Sequence, residues 1–212
     1  MIRSLASALA LLLVTACASS NQASAAPTAA TVAVQPGDLP STMHRCTISG
    51  DINTYLDSLK AKDPATYTST NNEWTDAQSK GATATYVSFY TDSDANCANV
   101  ASTVANLSAA AYPLVVNFSV QFKDEASASN GYTNGQIFGI DRTMLKANGA
   151  PVVEGTKTGL GPNSIVLSTT ILSQAFYIAV WQNKAFMVIL GIINLDAAAG
   201  QKVATAENNR IK

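Results

Sequence analysis

The fold of this chain is decided by residues 176–193, which read FYIAVWQNKAFMVILGII. The stretch contains two apolar runs, 176–181 and 185–193, separated by a polar turn at 182–184. Apolar runs of this length on either side of a tight turn predict two antiparallel strands of a hairpin. Because both runs are apolar at almost every position, we expect both faces of these strands to be covered. A loop from residues 135–161, a second subunit or a ligand would supply the cover.

Three earlier segments also have the composition of strands. In residues 114–122 every second residue is Leu, Val or Phe, and the residues between them are mostly polar, which is typical of a strand with one buried face. Residues 84–90 and 165–171 are predicted as strands in the same way. Together with the hairpin, these segments predict a sheet of about five strands.

Helices are predicted between the strands and at the end of the chain. Residues 52–59 carry apolar side chains at the spacing of one helix face. Polar capping residues mark the starts of further helices at Asp63, at Asp124 and at either Asn194 or Asp196. Since hairpins join the strands of the second half, we predict a single α+β domain with a mainly antiparallel sheet and helices packed on one face.

The N-terminus has the features of an export signal. Arg3 supplies a positive charge, and the apolar run 5–14 is too short to span a bilayer. Residues 13–17, Leu-Val-Thr-Ala-Cys, resemble the lipobox of bacterial lipoproteins. The resemblance implies a signal peptide over residues 1–16 and a lipidated Cys17 that anchors the protein in the cell membrane on its extracytoplasmic side.

An ordinary signal peptide, cleaved at the Ala-Ser-Ala site 23–25, is the alternative to the lipobox. That site lies far beyond the apolar run, which favours the lipoprotein. Small, uncharged residues dominate the next part of the chain and predict a disordered linker over residues 17–36. Residues 37–212 are then the folded domain.

The composition excludes several classes of function. Thirteen Lys and Arg against fourteen Asp and Glu give a net charge of −1, so a nucleic-acid partner has no basic stripe to bind. One His and three Cys leave little for zinc clusters or His-based catalysis. Residues 92–97 lack the Gly of a calcium loop, and residues 155–161 lack the Gly-Lys-[Ser/Thr] of a phosphate loop. We therefore predict no metal and no cofactor.

Two cysteines, Cys46 and Cys97, remain once Cys17 is assigned to the lipid anchor. An exported protein meets an oxidising compartment, so we predict a structural disulfide between them. A redox-active pair would have the Cys-x-x-Cys spacing that these two residues lack. His44, close to Cys46, is expected to be exposed rather than a ligand.

A candidate binding surface follows from the alternation of the strands. The sheet face opposite the core would present rings, amides and hydroxyls at Tyr86, Ser88, Tyr90, Asn117, Ser119, Gln121, Tyr177 and Trp181. Such surfaces commonly bind small molecules, glycans or peptides, although aromatic residues also simply favour strands. The candidate ligand-binding residues are Tyr86, Tyr90, Asn117, Gln121, Tyr177 and Trp181, with Trp181 as the anchor.

These observations predict a non-catalytic, membrane-anchored envelope lipoprotein that binds or senses a ligand, because no catalytic set has a recognisable spacing. One alternative is a hydrolase of wall glycan or peptide whose carboxylates meet only in the fold, with candidates at Asp92, Asp94, Asp141 and Glu154. Another alternative is a structural or assembly lipoprotein.

The last hundred residues are loosely similar, in the order of their elements, to the extracellular sensor domains of actinobacterial serine/threonine kinases. Those domains usually carry two disulfides, whereas this chain has the cysteines for one once Cys17 is lipidated. The resemblance therefore implies an extracytoplasmic α/β domain and indicates no particular ligand.

The lipid anchor gives a direct prediction. The Cys17→Ala variant should leave the membrane fraction and lose metabolic labelling by a clickable fatty acid, because the lipidated thiol is removed. The measurement is fractionation of cells followed by detection of the label. Labelling that persists in the variant would show that Cys17 is not the lipidated residue.

Overall fold

The structure, a computed structural model, describes residues 25–102, 104–134, 137–140, 142–147, 149 and 151–211. The predicted signal peptide, the lipobox and Cys17 lie outside these residues. Within the described ranges, every helix is too short or too polar to cross a bilayer.

An antiparallel sheet of eight strands forms the centre of the fold. The strands are β1 (His44–Arg45), β2 (Gly50–Asp51), β3 (Ala82–Thr91), β4 (Leu114–Phe122), β5 (Val152–Glu154), β6 (Ser164–Ile171), β7 (Gln174–Asn183) and β8 (Phe186–Ile193). They lie in the order β1-β3-β4-β8-β7-β6-β5, and β2 also pairs with β3. The five predicted strands are confirmed, and β1, β2 and β5 are additional short strands.

Helices connect and flank the strands. They are α1 (Ala29–Val32), α2 (Ile52–Lys62), α3 (Pro64–Ser79), α4 (Asp94–Ser102), α5 (Glu125–Asn134), α6 (Arg142–Ala147) and α7 (Ala197–Arg210). The side chain of Asp196 caps α7, because it accepts from the Ala199 N–H at 2.7 Å. Asn194, the other candidate cap, instead donates to the carbonyls of Ala110 and Tyr112 and holds the segment that enters β4.

The β7–β8 hairpin has the predicted apolar strands, but its turn lies slightly later in the chain. Asn183 pairs with Phe186, so the turn consists of Lys184 and Ala185 rather than residues 182–184. Lys184 has a φ of 48°, in the left-handed region that two-residue hairpins require. The hairpin places β7 and β8 in the interior of the sheet, between β4 and β6.

Helices cover both faces of the sheet, not one as predicted. On what we call the α2 face, Val87, Val120, Val180 and Ile189 pack with residues of α2 to α6. On the opposite side, the α7 face, Trp181, Val188 and Leu190 pack with Val32 of α1 and Val203 of α7. The reason is that β7 and β8 are apolar on both sides, so each side must be removed from water.

The predicted disordered linker is wrong for residues 29–36. Ala29, Val32, Ala33 and Val34 are buried, and Val34 is hydrogen-bonded through both its backbone groups. Small side chains allow this segment to pack closely between the sheet and α7. Composition alone does not reveal such a fit, because the partner surface comes from the far end of the chain.

The predicted disulfide between Cys46 and Cys97 is present, with the two Cα atoms 5.2 Å apart. It joins the segment between β1 and β2 to helix α4. The closed loop spans 51 residues of sequence, so the bond restricts the unfolded chain substantially.

Removing this bond should destabilise the domain. A loop of this length corresponds to about 4 kcal/mol in the chain-entropy treatment, so Cys97→Ser should lower the melting temperature by on the order of 10 °C. Calorimetry of the oxidised protein measures the effect. The matched control is the double variant Cys46→Ser with Cys97→Ser, which should melt with the single variant. A parent protein whose mass shows two free thiols would contradict the assignment.

Candidate ligand-binding cleft

The strands bring the predicted surface residues onto one side of the sheet, as the alternation required, but that side is closed. Tyr90, Asn117 and Trp181 are 0% exposed, and Tyr177 is 2% exposed. Tyr86 and Gln121 are half-buried. The sequence left undecided whether this face is open or covered, and the structure shows that helices α1 and α7 cover the four buried residues.

Four of these residues are hydrogen-bonded by the chain itself, whereas the buried Nε1 of Trp181 has no partner among the described residues. The Tyr90 hydroxyl donates to the carbonyl of Val34 at 2.8 Å, and the Asn117 Oδ1 accepts from the Val34 N–H at 3.2 Å. The Tyr177 hydroxyl donates to Gln201 of α7 at 3.1 Å. The Tyr86 hydroxyl accepts from Arg45 at 3.0 Å. These contacts hold the N-terminal segment and α7 against the sheet.

Two aromatic residues of this sheet face, Tyr177 and Trp181, belong to the hydrophobic core. The ring of Tyr177 lies against Gly200 of α7, where a Cβ atom would overlap the ring. Trp181 is among the largest fully buried side chains of the described chain. The alternative interpretation, in which aromatic residues simply fill the sheet, applies to both, and Trp181 is a core residue.

A buried carboxyl group, which the sequence analysis missed, lies at the centre of the α7 face. Glu207 is 0% exposed, and its Oε1 accepts from the Asn117 amide at 2.9 Å. Its Oε2 and the hydroxyls of Ser88 and Ser119 have no hydrogen-bond partner among the described residues. The sequence signal was the spacing of Gly200, Val203, Ala204 and Glu207, which places all four on one face of a helix.

The protonation of Glu207 follows from its surroundings. Burial raises the pKa of its carboxyl well above the usual range, while the Asn117 hydrogen bond and the charge of Arg210 lower the pKa, and Asp38 raises it. The guanidinium of Arg210 is committed elsewhere, since it contacts both carboxylate oxygens of Asp38 at 2.8 and 2.9 Å. Burial therefore favours the protonated, neutral form of Glu207 over the charged form.

The carboxylates considered for a hydrolase do not form a common cleft in the described part of the chain. Asp92 and Asp94 lie beside β3 near one edge of the sheet, whereas Glu154 lies on β5 at the other edge. Glu154 is paired with Lys146 at 2.8 Å, and Asp94 is 3.9 Å from His44. Asp141 lies outside the described residues. Among the described residues, no group of three or more His, Cys, Asp or Glu could hold a metal ion.

An open site exists on the α2 face instead. A cavity of about 350 Å³ lies between α6 and the strands β6 and β7, and we call it the apolar cleft. Its lining is Met144, Leu145, Leu167, Thr169, Ile171, Phe176 and Ile178. Thr169 contributes the single hydroxyl of this lining, and none of these side chains is charged. An apolar cavity of this size lies within the range of ~300–1,000 Å³ typical of small-molecule sites.

A glycine lies beside this cleft, on the strand next to β7. Gly191 of β8 pairs with Ile178 on one side and with Val116 on the other, and both neighbours are half-buried. A Cβ atom at Gly191 would meet nothing closer than the Val116 carbonyl oxygen at 3.9 Å. A glycine within a strand often marks a position where another molecule approaches the backbone. The sheet therefore has an apolar depression where a side chain would otherwise stand.

The segment after α5 covers the part of the α2 face around Phe118 of β4. Ile137 and Ile140 form a bridge, which holds Phe138 at a φ of 50°. The ring of Phe138 stacks on Phe118 of β4 with 4.7 Å between the ring centres. We predicted a loop from residues 135–161 as one possible cover for the central strands. Residues 137–140 and 142–147 lie over this face of the sheet, although they leave the cleft open.

No protein-family model matches this sequence, and no curated protein matches it. Among solved structures, the chain is similar to the extracellular domain of PknH from Mycobacterium tuberculosis, with 11% sequence identity and a TM-score of 0.38. The match covers 62% of this chain and 66% of that chain, just under two thirds. The likeness is weak, and nothing about the cleft or its ligand follows from it.

The buried carboxyl predicts a specific pH dependence. Because the pKa of Glu207 is higher in the folded than in the unfolded chain, its contribution to stability is fully present at low pH and is lost as pH rises from about 4 towards the folded pKa. Glu207→Gln removes this loss. The variant should match the parent at pH 4 and melt at a higher temperature at pH 8.

Thermal melts across this pH range measure the difference in melting temperature between parent and variant. The contributions of the other titrating groups are the same in both proteins and cancel in this difference. Asn208→Asp, which places a carboxyl beside Asn183 near the end of α7, is a control for an added charge on that helix. A Glu207→Gln variant that is less stable than the parent only at pH 8 would show that Glu207 is ionised and paired with Arg210.

Proposed function

We propose that this protein is a non-catalytic binding domain, anchored to the membrane through Cys17 on the extracytoplasmic side, and that its ligand is an uncharged, apolar small molecule. The ligand occupies the apolar cleft. The observation that carries the proposal is Gly191, a glycine in an otherwise apolar central strand, which pairs with Ile178 of the cleft lining. Among the described atoms, a Cβ at this position would have only the Val116 oxygen within 4 Å.

The chemistry of the lining supports this class of ligand. A bound apolar group would remove the side chains of Leu167, Phe176 and Ile178 from water. This burial stabilises the complex by about 25 cal/mol per Å² of apolar surface. A glycan or a charged peptide would leave most of its hydrogen-bonding groups without a partner against this lining, which is unfavourable. The glycan and peptide ligands considered from the sequence are therefore less suited to the cleft than an apolar molecule.

The proposed location rests on two features. The disulfide between Cys46 and Cys97 is of a kind that persists in oxidising compartments outside the cytoplasm. The lipobox at residues 13–17 supplies the export signal and the acylated cysteine. Both support a domain held at the outer side of a cell membrane.

Filling the cleft should abolish binding without harming the fold. In Gly191→Val the new side chain enters open space, and valine favours strands. Titration with the uncharged fluorescent probe N-phenylnaphthylamine should show binding to the parent and an affinity at least about tenfold weaker for the variant, equivalent to about 1.4 kcal/mol. The melting temperature of the variant should be equal or higher.

Gly200→Ala is the matched control, since it also adds one Cβ to a glycine but on the closed α7 face. It should lower the melting temperature, because the new methyl group overlaps the Tyr177 ring, and should leave probe affinity unchanged below the melting transition. Equal probe affinity in the parent and Gly191→Val would place the ligand elsewhere.

A further inference from the structure

The turn between β6 and β7 exposes apolar side chains at the rim of the cleft. Within the described residues, the large exposed hydrophobic side chains are Met144, Val153, Ile171 and Leu172, all on α6, β5 or the β6–β7 hairpin. Leu172, at the tip, is 94% exposed, and Ile171 beside it is 55% exposed. An exposed apolar group of this kind is typical of a surface that meets a protein or a membrane.

The backbone of this turn would favour a different residue. Ile171 pairs with Gln174, so Leu172 and Ser173 are the two central residues, with φ values of 48° and 72°. Both values lie in the left-handed region, where Asn and Gly are the usual occupants. The β7–β8 turn at the opposite end of β7 uses the same conformation at Lys184, a charged residue. The apolar residue at 172 therefore serves neither the turn nor the core.

The exposed tip is continuous with the apolar cleft. Ile171 and Met144 are both exposed to solvent and both line the cavity. An apolar path thus leads from the surface at the hairpin tip to Phe176 and Ile178 inside the cleft. A ligand that entered along this path would meet no charged side chain within the lining, and the one side-chain hydroxyl there is that of Thr169.

The distance to the membrane is set by the chain that precedes the domain. From Cys17 to Ala29, the first residue of α1, there are 29 − 17 = 12 residues. Even fully extended, these residues span at most about 40 Å, which is about the width of a domain of this size. If Cys17 is lipidated, as the proposed function requires, the surface of the domain lies within reach of the bilayer.

We propose that the β6–β7 hairpin tip, Ile171 and Leu172, inserts into the surface of the lipid bilayer, and that the cleft takes its apolar ligand from the acyl region of that membrane. The inference rests on the proposed function and deepens it, because it identifies the ligand as an acyl chain or a molecule dissolved among acyl chains. Insertion removes Leu172 from water and joins the membrane interior to the cleft through Ile171.

The test places a fluorescent reporter at the tip of the full, lipidated protein. Leu172→Trp is reconstituted into phosphatidylcholine vesicles with brominated acyl chains, and its emission is compared with that in unbrominated vesicles. Because bromine quenches tryptophan only at close range, most of the emission added by the substitution should be lost. Trp74 and Trp181 are 7% and 0% exposed and supply a constant background.

Thr68→Trp is the matched control, on an exposed position of α3, which packs against α2 and β3 near the other end of the sheet order. Its added emission should be unchanged by brominated lipid. Quenching at 172 that is no greater than at 68, in protein that floats with the vesicles, would overturn the insertion. Protein that stays out of the vesicle fraction would overturn both the anchor and the insertion.

Leu172→Asn separates insertion from folding and from binding in the cleft. Asparagine suits the left-handed backbone, so the variant should melt at the parent temperature or above. It should bind N-phenylnaphthylamine in solution as the parent does, but should lose most of the transfer of this probe from loaded vesicles. Equal transfer by the variant and the parent would overturn a role for the tip, whereas probe binding by neither protein would overturn the cleft.

Discussion

The central hairpin of this protein is apolar on both sides, and the other elements of the fold pack against both sides to remove these side chains from water. Val180 and Ile189 face one side of the sheet, and Trp181 and Leu190 face the other. A bare face on either side would leave several large side chains in water, at about 25 cal/mol for each Å² exposed. A sheet with helices on one side only is therefore unstable for this sequence, and the chain must return from its C-terminal end to close the second face.

The two faces are closed to different extents, and this difference locates the site. On the α7 face, the N-terminal segment and α7 cover residues that are polar as well as apolar, such as Asn117, which is buried and hydrogen-bonded to Glu207. On the α2 face, α5 packs against β7 and β8, but α6 leaves a cavity over β6 and the first residues of β7. The open remainder is lined by hydrophobic side chains, so a bound molecule would gain its affinity mainly from the burial of apolar surface.

The sequence predicted the long strands well because their alternation is local, and residues 114–122 match β4 at both ends. The strands β1 and β5 are only two and three residues long. They are strands because they pair with longer neighbours, and they are too short to show an alternation of apolar and polar residues in the sequence. The alternation also placed Tyr90, Asn117, Tyr177 and Trp181 on one face correctly. Their burial could not be predicted, since it depends on α7 and residues 29–34 packing there from opposite ends of the chain.

The role of Gly191 can be interpreted only once its surroundings in the folded structure are known. In the sequence it interrupts an apolar run, and a glycine there could equally serve a bulge or close packing of another backbone. The structure excludes both, because the strand keeps its regular register with β4 and β7 and no described atom other than the Val116 oxygen comes within 4 Å of a Cβ at this position. A larger side chain would add buried apolar surface and strand propensity. The fold gives up that stability at a central position beside the cleft, and under the proposed function this space is left for a ligand.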